Sequence, residues 1–131
     1  MRDILISAGL VVAVLIGWTI GLWGTPVDGN QGEVYRILYV HVPSAFSAFF
    51  CGFVMFIAAI VGMKTRGEGA MRTMKAAAEV GLIGTVMCLA TGSIWGRPTW
   101  GVWWTWDPRL TTTLILALLY CGFLLLSLIH I

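Results

Sequence analysis

Four long apolar runs, separated by short polar breaks, set the plan of the chain. The first covers residues 4–23, about 20 residues, the length a helix needs to cross the hydrocarbon core of a bilayer. The second covers residues 44–63, with Pro43 just ahead of it, where a helix start loses nothing by a missing N–H. The third covers residues 76–94, and a fourth (TTTLILALLYCGFLLLSLIHI) begins at Thr111 and reaches the last residue. Between them lie a turn-rich stretch over residues 24–42, a short basic loop over residues 64–75 (KTRGEGAMRTMK) and a tryptophan-rich stretch over residues 95–109. The pattern predicts an all-α fold, a polytopic membrane helix bundle with four transmembrane helices. A signal peptide is the competing reading of the first run. Its apolar region is too long for one, and no A-x-A-like site follows.

Composition supports the membrane reading. Hydrophobic residues make up 59% of the chain and charged residues 11%, against about 25% charged in a typical soluble domain. The net charge of +2, with no long basic block, points to a lipid bilayer as surroundings and away from nucleic acid. Cys51, Cys88 and Cys121 fall inside apolar runs with no CxxC pair, which supports neither a zinc site nor a disulfide framework. They read as small buried hydrophobes.

Charge also orients the chain. The N-terminus and the 64–75 loop share one side and carry five Lys/Arg, whereas the other side carries three: Arg36, Arg97 and Arg109. The positive-inside rule places the first side in the cytoplasm. His41 and the tryptophan stretch then share the outer face.

That stretch, WGRPTWGVWWTWDPR, holds five of the seven tryptophans. Tryptophan is enriched at membrane interfaces, so an aromatic belt is one reading. Gly96, Pro98, Gly101 and Pro108 thread the cluster, however, and are expected to break helix and let backbone approach a ligand. His41, two residues before Pro43, is either an interfacial histidine or a metal ligand. A flat aromatic platform, two arginines able to pair with carboxylates, and a histidine on the same face together match haem, with its apolar ring, propionates and iron. A quinone has no need of the arginines. With no CxxCH, the cofactor expected is non-covalent haem b, held transiently and passed on.

Other polar groups carry weaker readings. Glu79 follows Lys75 by four residues, which suits an i,i+4 pair better than a proton relay. Asp107 precedes Pro108 and is either an N-cap or a ligand contact. Met55 and Met87 are candidate soft axial ligands, but inside a span packing is the usual role of methionine. Gly92 and Gly96 make a GxxxG helix-contact signal. A cytochrome b-like or quinone-binding redox subunit would call for a histidine pair within the spans, and residues 44–63 and 76–94 contain none.

WGRPTWGVWWTWDPRLTT resembles the tryptophan-rich WWD signature of the haem-handling proteins of cytochrome c maturation. YRILYVHVPSA ahead of it narrows the resemblance to the CcmC (haem exporter protein C) family, over about residues 35–113. The resemblance implies a six-helix architecture in the bacterial inner (plasma) membrane, N-terminus cytoplasmic, with the signature on the periplasmic face. It implies haem binding and delivery to a CcmE-type haem chaperone, alongside a CcmD-type small membrane protein and a CcmAB-type ABC transporter, without enzymatic turnover. By position it makes His41 the first of two histidines that ligate haem iron. It places Trp95, Trp100, Trp103, Trp104, Trp106 and Asp107 on the signature, supporting the haem edge shown to the chaperone. Arg97 and Arg109 as propionate partners are a physical inference added to it. The alternative is part of a CcmF- or CcsA-like cytochrome c haem lyase, which shares the signature. Those chains are larger, and the HVP close after the first span favours the CcmC type.

The family's two later helices and second ligand histidine have no counterpart in this sequence, so residues 1–131 read as roughly an N-terminal half, a partial CcmC-type domain. The tail LSLIHI, residues 126–131, matches the translation of a transposase mosaic-end sequencing adapter and is expected not to belong to the protein. His130 is not expected to be the second ligand. It lies about 19 residues past Thr111, some 28 Å deeper at about 1.5 Å per residue, across the bilayer from His41.

Overall fold

The computed structural model describes residues 1–65 and 67–129, and His130 with the end of the LSLIHI tail lies outside them. Four α-helices carry the chain: α1 (Arg2–Thr19), α2 (Leu38–Thr65), α3 (Glu68–Trp100) and α4 (Pro108–Ile129). A π-helical turn, Ile20–Gly24, extends α1, and a 3₁₀ turn, Glu33–Ile37, leads into α2. All four spans are long and apolar enough to cross a membrane. The all-α membrane bundle is therefore the observed architecture.

The helices run further than the apolar runs alone foretell. α3 takes in most of the expected basic loop, because Glu68 supplies an acidic first turn and pairs with Arg72 one turn on, at 2.8 Å. It also continues through Pro98 to Trp100, so the first tryptophans are helical rather than loop. Pro98 lies in the last turn, and having no N–H it leaves the Ile94 carbonyl, one turn back, without its helical donor. Gly101 then stops the helix at φ +80°, its N–H bonded to the Arg97 carbonyl at 3.0 Å, a left-handed cap that only glycine adopts without strain. Pro43 likewise sits inside α2, not ahead of it. α4 starts at Pro108, three residues before the expected Thr111. At 33 residues α3 is about 50 Å long, against a hydrocarbon core of about 30 Å. The excess length carries its last turns, with Trp95 and Trp100, past the apolar run.

α3 packs against both α2 and α4. The core is made of small residues and one large ring: Cys51 of α2, Ala77 and Ala78 of α3, and Tyr120 of α4. Tyr120 lies over Gly81 and donates its hydroxyl to the Ala48 carbonyl at 2.6 Å. One side chain thus ties three helices together. Small residues let these backbones approach, which is how helices gain contact where lipid removes the hydrophobic drive. α1 buries none of its residues, and its join to the rest runs through the π-helical turn, where the Tyr39 ring lies over Gly21.

Candidate functional site

At the tryptophan end of the bundle, α2, α3 and the start of α4 enclose a cavity of about 140 Å³. Its walls include His41 from α2, Trp95 and Trp100 from α3, and Asp107 and Arg109 from the loop and α4. Sequence positions 41 and 109 thus meet at one place. The volume is below the roughly 300–1,000 Å³ of pockets that enclose a whole ligand. It suits the edge of a flat group whose remainder stays outside.

Each wall has a local reason. His41 sits one turn into α2, and Gly92 of α3 leaves the space its ring needs. A Cβ at Gly92 would come within 3.2 Å of His41 Cε1. Of the GxxxG pair, Gly92 therefore serves the histidine, while Gly96 is buried beneath Trp100 and the Val102 carbonyl. His41 Nδ1 lies 2.9 Å from Thr91 Oγ1, and Nε2 lies 4.0 Å from Cys88 Sγ. Trp95 and Trp100 meet edge to face, with ring centroids 4.9 Å apart at 82°. Arg109 stacks over the Trp100 ring at 5.3 Å and stands 3.5 Å from Asp107 Oδ2. A cation held this way keeps donors free at the rim.

Asp107 is the N-cap of α4. Its Oδ1 accepts from the N–H groups of Arg109 (2.9 Å) and Leu110 (3.1 Å), and its Oδ2 from the Thr105 hydroxyl (2.9 Å). The Leu110 N–H, then the Thr105 hydroxyl, hold its carboxyl below the usual carboxylate range. Asp107 also lines the cavity, so both readings of it coexist.

The other predicted residues lie off this wall. Arg97 bonds the Gly101 carbonyl and closes its own helix end. Trp104 and Trp106 form a second edge-to-face pair, centroids 5.4 Å apart at 80°. Trp103 and Trp106 are 58% and 77% exposed. The tryptophans form two perpendicular pairs, not the single flat platform that their sequence spacing suggested. Among the described residues the ion pairs are Arg2–Asp3, Glu33–Arg36, Glu68–Arg72 and Asp107–Arg109, so the Lys75–Glu79 pair does not form.

Two contributors were not anticipated. Gln31 accepts the Trp95 indole N–H at 3.0 Å. Its loop is built for this: Asp28 Oδ1 accepts the N–H groups of Asn30 and Gln31, and Gly32 turns the chain at φ +62°. Arg36 and Tyr35 then tie the loop back to the Thr25 and Pro26 carbonyls. The only sequence signal was the DGNQG turn chemistry. Thr91 was unmarked, one residue from the Gly92 that does carry a signal.

The chain matches the family model described as "Heme exporter protein C" over residues 2–129. A relative of that name from Rhodobacter capsulatus is 40% identical over 121 residues, 92% of this chain and 50% of the relative. The Escherichia coli K12 relative is 42% identical over 112 residues, 86% of this chain and 46% of the relative. The Haemophilus influenzae one is 43% identical over 116 residues, 88% and 47%. The chain spans about half the length of these curated relatives.

Proposed function

The chain belongs to the heme exporter protein C family, and from that premise we propose that it holds haem at the periplasmic face of the bacterial inner membrane. It then delivers the haem to a CcmE-type chaperone, working with CcmD-type and CcmAB-type partners. The observation that carries this reading is the convergence of His41, Trp95, Trp100 and Arg109 on one open cavity. The groups present fit a non-covalent haem b as cargo. His41 offers an imidazole, the indoles offer apolar walls, and Arg109 offers a rim cation for a propionate. Arg97, bonded to the Gly101 carbonyl, is a weaker propionate partner. Exposed Trp103 and Trp106 lie where a cargo edge meets an acceptor. Transfer of this kind needs no bond made or broken in the porphyrin, and hence no enzymatic turnover.

The binding and delivery roles separate experimentally. Trp103→Ala and Trp106→Ala are expected to keep haem bound yet slow its transfer to the purified chaperone about two- to tenfold. That is the scale of losing aromatic contacts of about 0.5–1.5 kcal/mol. Trp100→Ala, in contrast, should weaken binding itself. Stopped-flow transfer at wild-type rates in both exposed-tryptophan variants would remove the delivery role assigned to them.

Orientation has its own test. A reporter fused after Met71 should read cytoplasmic and one inserted at Asn30 periplasmic, as the basic loop demands. The reverse pattern would put the cavity on the wrong side for a periplasmic acceptor.

A further inference from the structure

We infer that Thr91 is a positioning residue that fixes His41 in its Nδ1–H tautomer, leaving the Nε2 lone pair for a metal. The inference rests on the reading of His41 as the iron ligand, but its structural half stands in the haem-free protein.

The argument is a count of protons. Thr91 Oγ1 lies 2.6 Å from the Met87 carbonyl oxygen and 3.3 Å from that of Cys88. A carbonyl has no proton to give, and two oxygens approach to 2.6 Å only with a proton between them. The single hydroxyl proton of Thr91 is therefore committed to its own helix. Toward His41 Nδ1, at 2.9 Å, the same oxygen has only lone pairs left. Nδ1 must carry the proton and donate it. A neutral imidazole has one N–H, so Nε2 is then the bare nitrogen.

Nε2 faces the side where Cys88 Sγ, itself part of the cavity wall, lies 4.0 Å away. A thiol at that distance is a weak donor and does not compete with a metal for the lone pair. Three features of α3 thus act on one ring. Gly92 gives it room, Thr91 sets its proton and rotation, and Cys88 leaves its working nitrogen open. An outer partner that accepts the second N–H of a ligating histidine fixes the tautomer and raises ligand basicity, and losing it typically weakens metal affinity 10–100-fold.

The test starts without haem. Full chain carrying ¹⁵N-histidine, in detergent at a pH where His41 is neutral, is read by nitrogen NMR, with His41→Gln identifying the His41 signals. The wild type should show Nδ1 protonated and Nε2 bare. Thr91→Val keeps the β-branched shape but has no oxygen, and should shift His41 toward the Nε2–H form. Thr91→Ser should restore the wild-type spectrum, because a serine hydroxyl can make both bonds. In haem titrations Thr91→Val should bind about 10–100-fold more weakly and Thr91→Ser near wild type, with matched melting temperatures excluding a folding defect. An Nε2–H wild type, or a Thr91→Val protein with unchanged tautomer and affinity, would overturn the inference. Unaltered haem binding by His41→Gln would instead sink the ligand reading, while the haem-free spectra still decide the role of Thr91.

Discussion

Alanine in place of His41 is expected to abolish stoichiometric haem binding, seen as loss of the Soret band in the purified protein. Among the cavity walls described, only His41 offers a nitrogen lone pair suited to iron. The tryptophans supply contact area, and each ring pair adds about 0.5–1.5 kcal/mol beyond burial. Removing one indole loses that contribution together with the ring's buried area, a graded effect, whereas removing His41 would take away the bond proposed to fix the iron. The substitution also leaves a space beside Gly92 the size of the ring that occupied it. Exogenous imidazole should enter that space and restore part of the absorbance. A graded companion is Gly92→Ala, whose methyl group would stand 3.2 Å from His41 Cε1. It should shift the ring by a few tenths of an ångström and give an intermediate affinity. A His41→Ala protein with an undiminished Soret band would show that the iron is held elsewhere.

Gly81→Ala should be the most damaging single methyl group in the bundle. The added carbon would stand 2.5 Å from Tyr120 Cζ and 2.8 Å from its hydroxyl oxygen. Tyr120 is buried and its hydroxyl is bound to the Ala48 carbonyl, so the ring cannot swing aside. Relief must come from moving α4 away from α3, and overpacking of that sort costs about 1–3 kcal/mol. Tyr120→Phe, which loses only the hydrogen bond, should cost about 1 kcal/mol or less. Steric exclusion outweighs the bond. Thermal melts in detergent should rank Gly81→Ala below Tyr120→Phe. The pair Gly81→Ala with Tyr120→Leu should recover part of the loss, because the two side chains share one volume. Additive losses in the double variant would show that Gly81 and Tyr120 do not meet.

The four spans were legible because bilayer thickness imposes a length on apolar runs, and a run of that length stands out in any sequence. Their ends were less legible. Pro98 reads as a breaker in isolation, yet the helix runs on through it for two residues, and Gly101 is the residue that stops α3. His41, Trp95, Trp100, Asp107 and Arg109 were legible as candidates, because rare polar and aromatic groups at a membrane edge invite a chemical explanation. Their division into cavity walls and outlying residues was not, since it depends on how α3 rotates against α2 and α4. Gln31 and Thr91 stayed hidden for a related reason. Each works through a single long-range hydrogen bond, 64 and 50 residues from its partner, and no local pattern records such a pairing.

The continuity of α3 from Gly81 to Trp100 makes it a gauge as well as a scaffold. Tyr120 seats the helix at Gly81, and ten residues later Thr91 meets His41. Between those two points α3 stays against α2, an added Cβ at Gly84 standing 3.0 Å from the Ser44 carbonyl oxygen, and helical pitch carries angle and height on to the contact. Each residue contributes about 100° of rotation and 1.5 Å of rise. Apolar exchanges at the exposed positions of this interval, such as Ile83 and Val86, leave that phase untouched. One inserted or deleted residue would carry Thr91 and Gly92 a quarter-turn off the imidazole while the core below stayed seated. The segment is thus free in composition on its exposed face but fixed in count, and its variation should be confined to substitutions there.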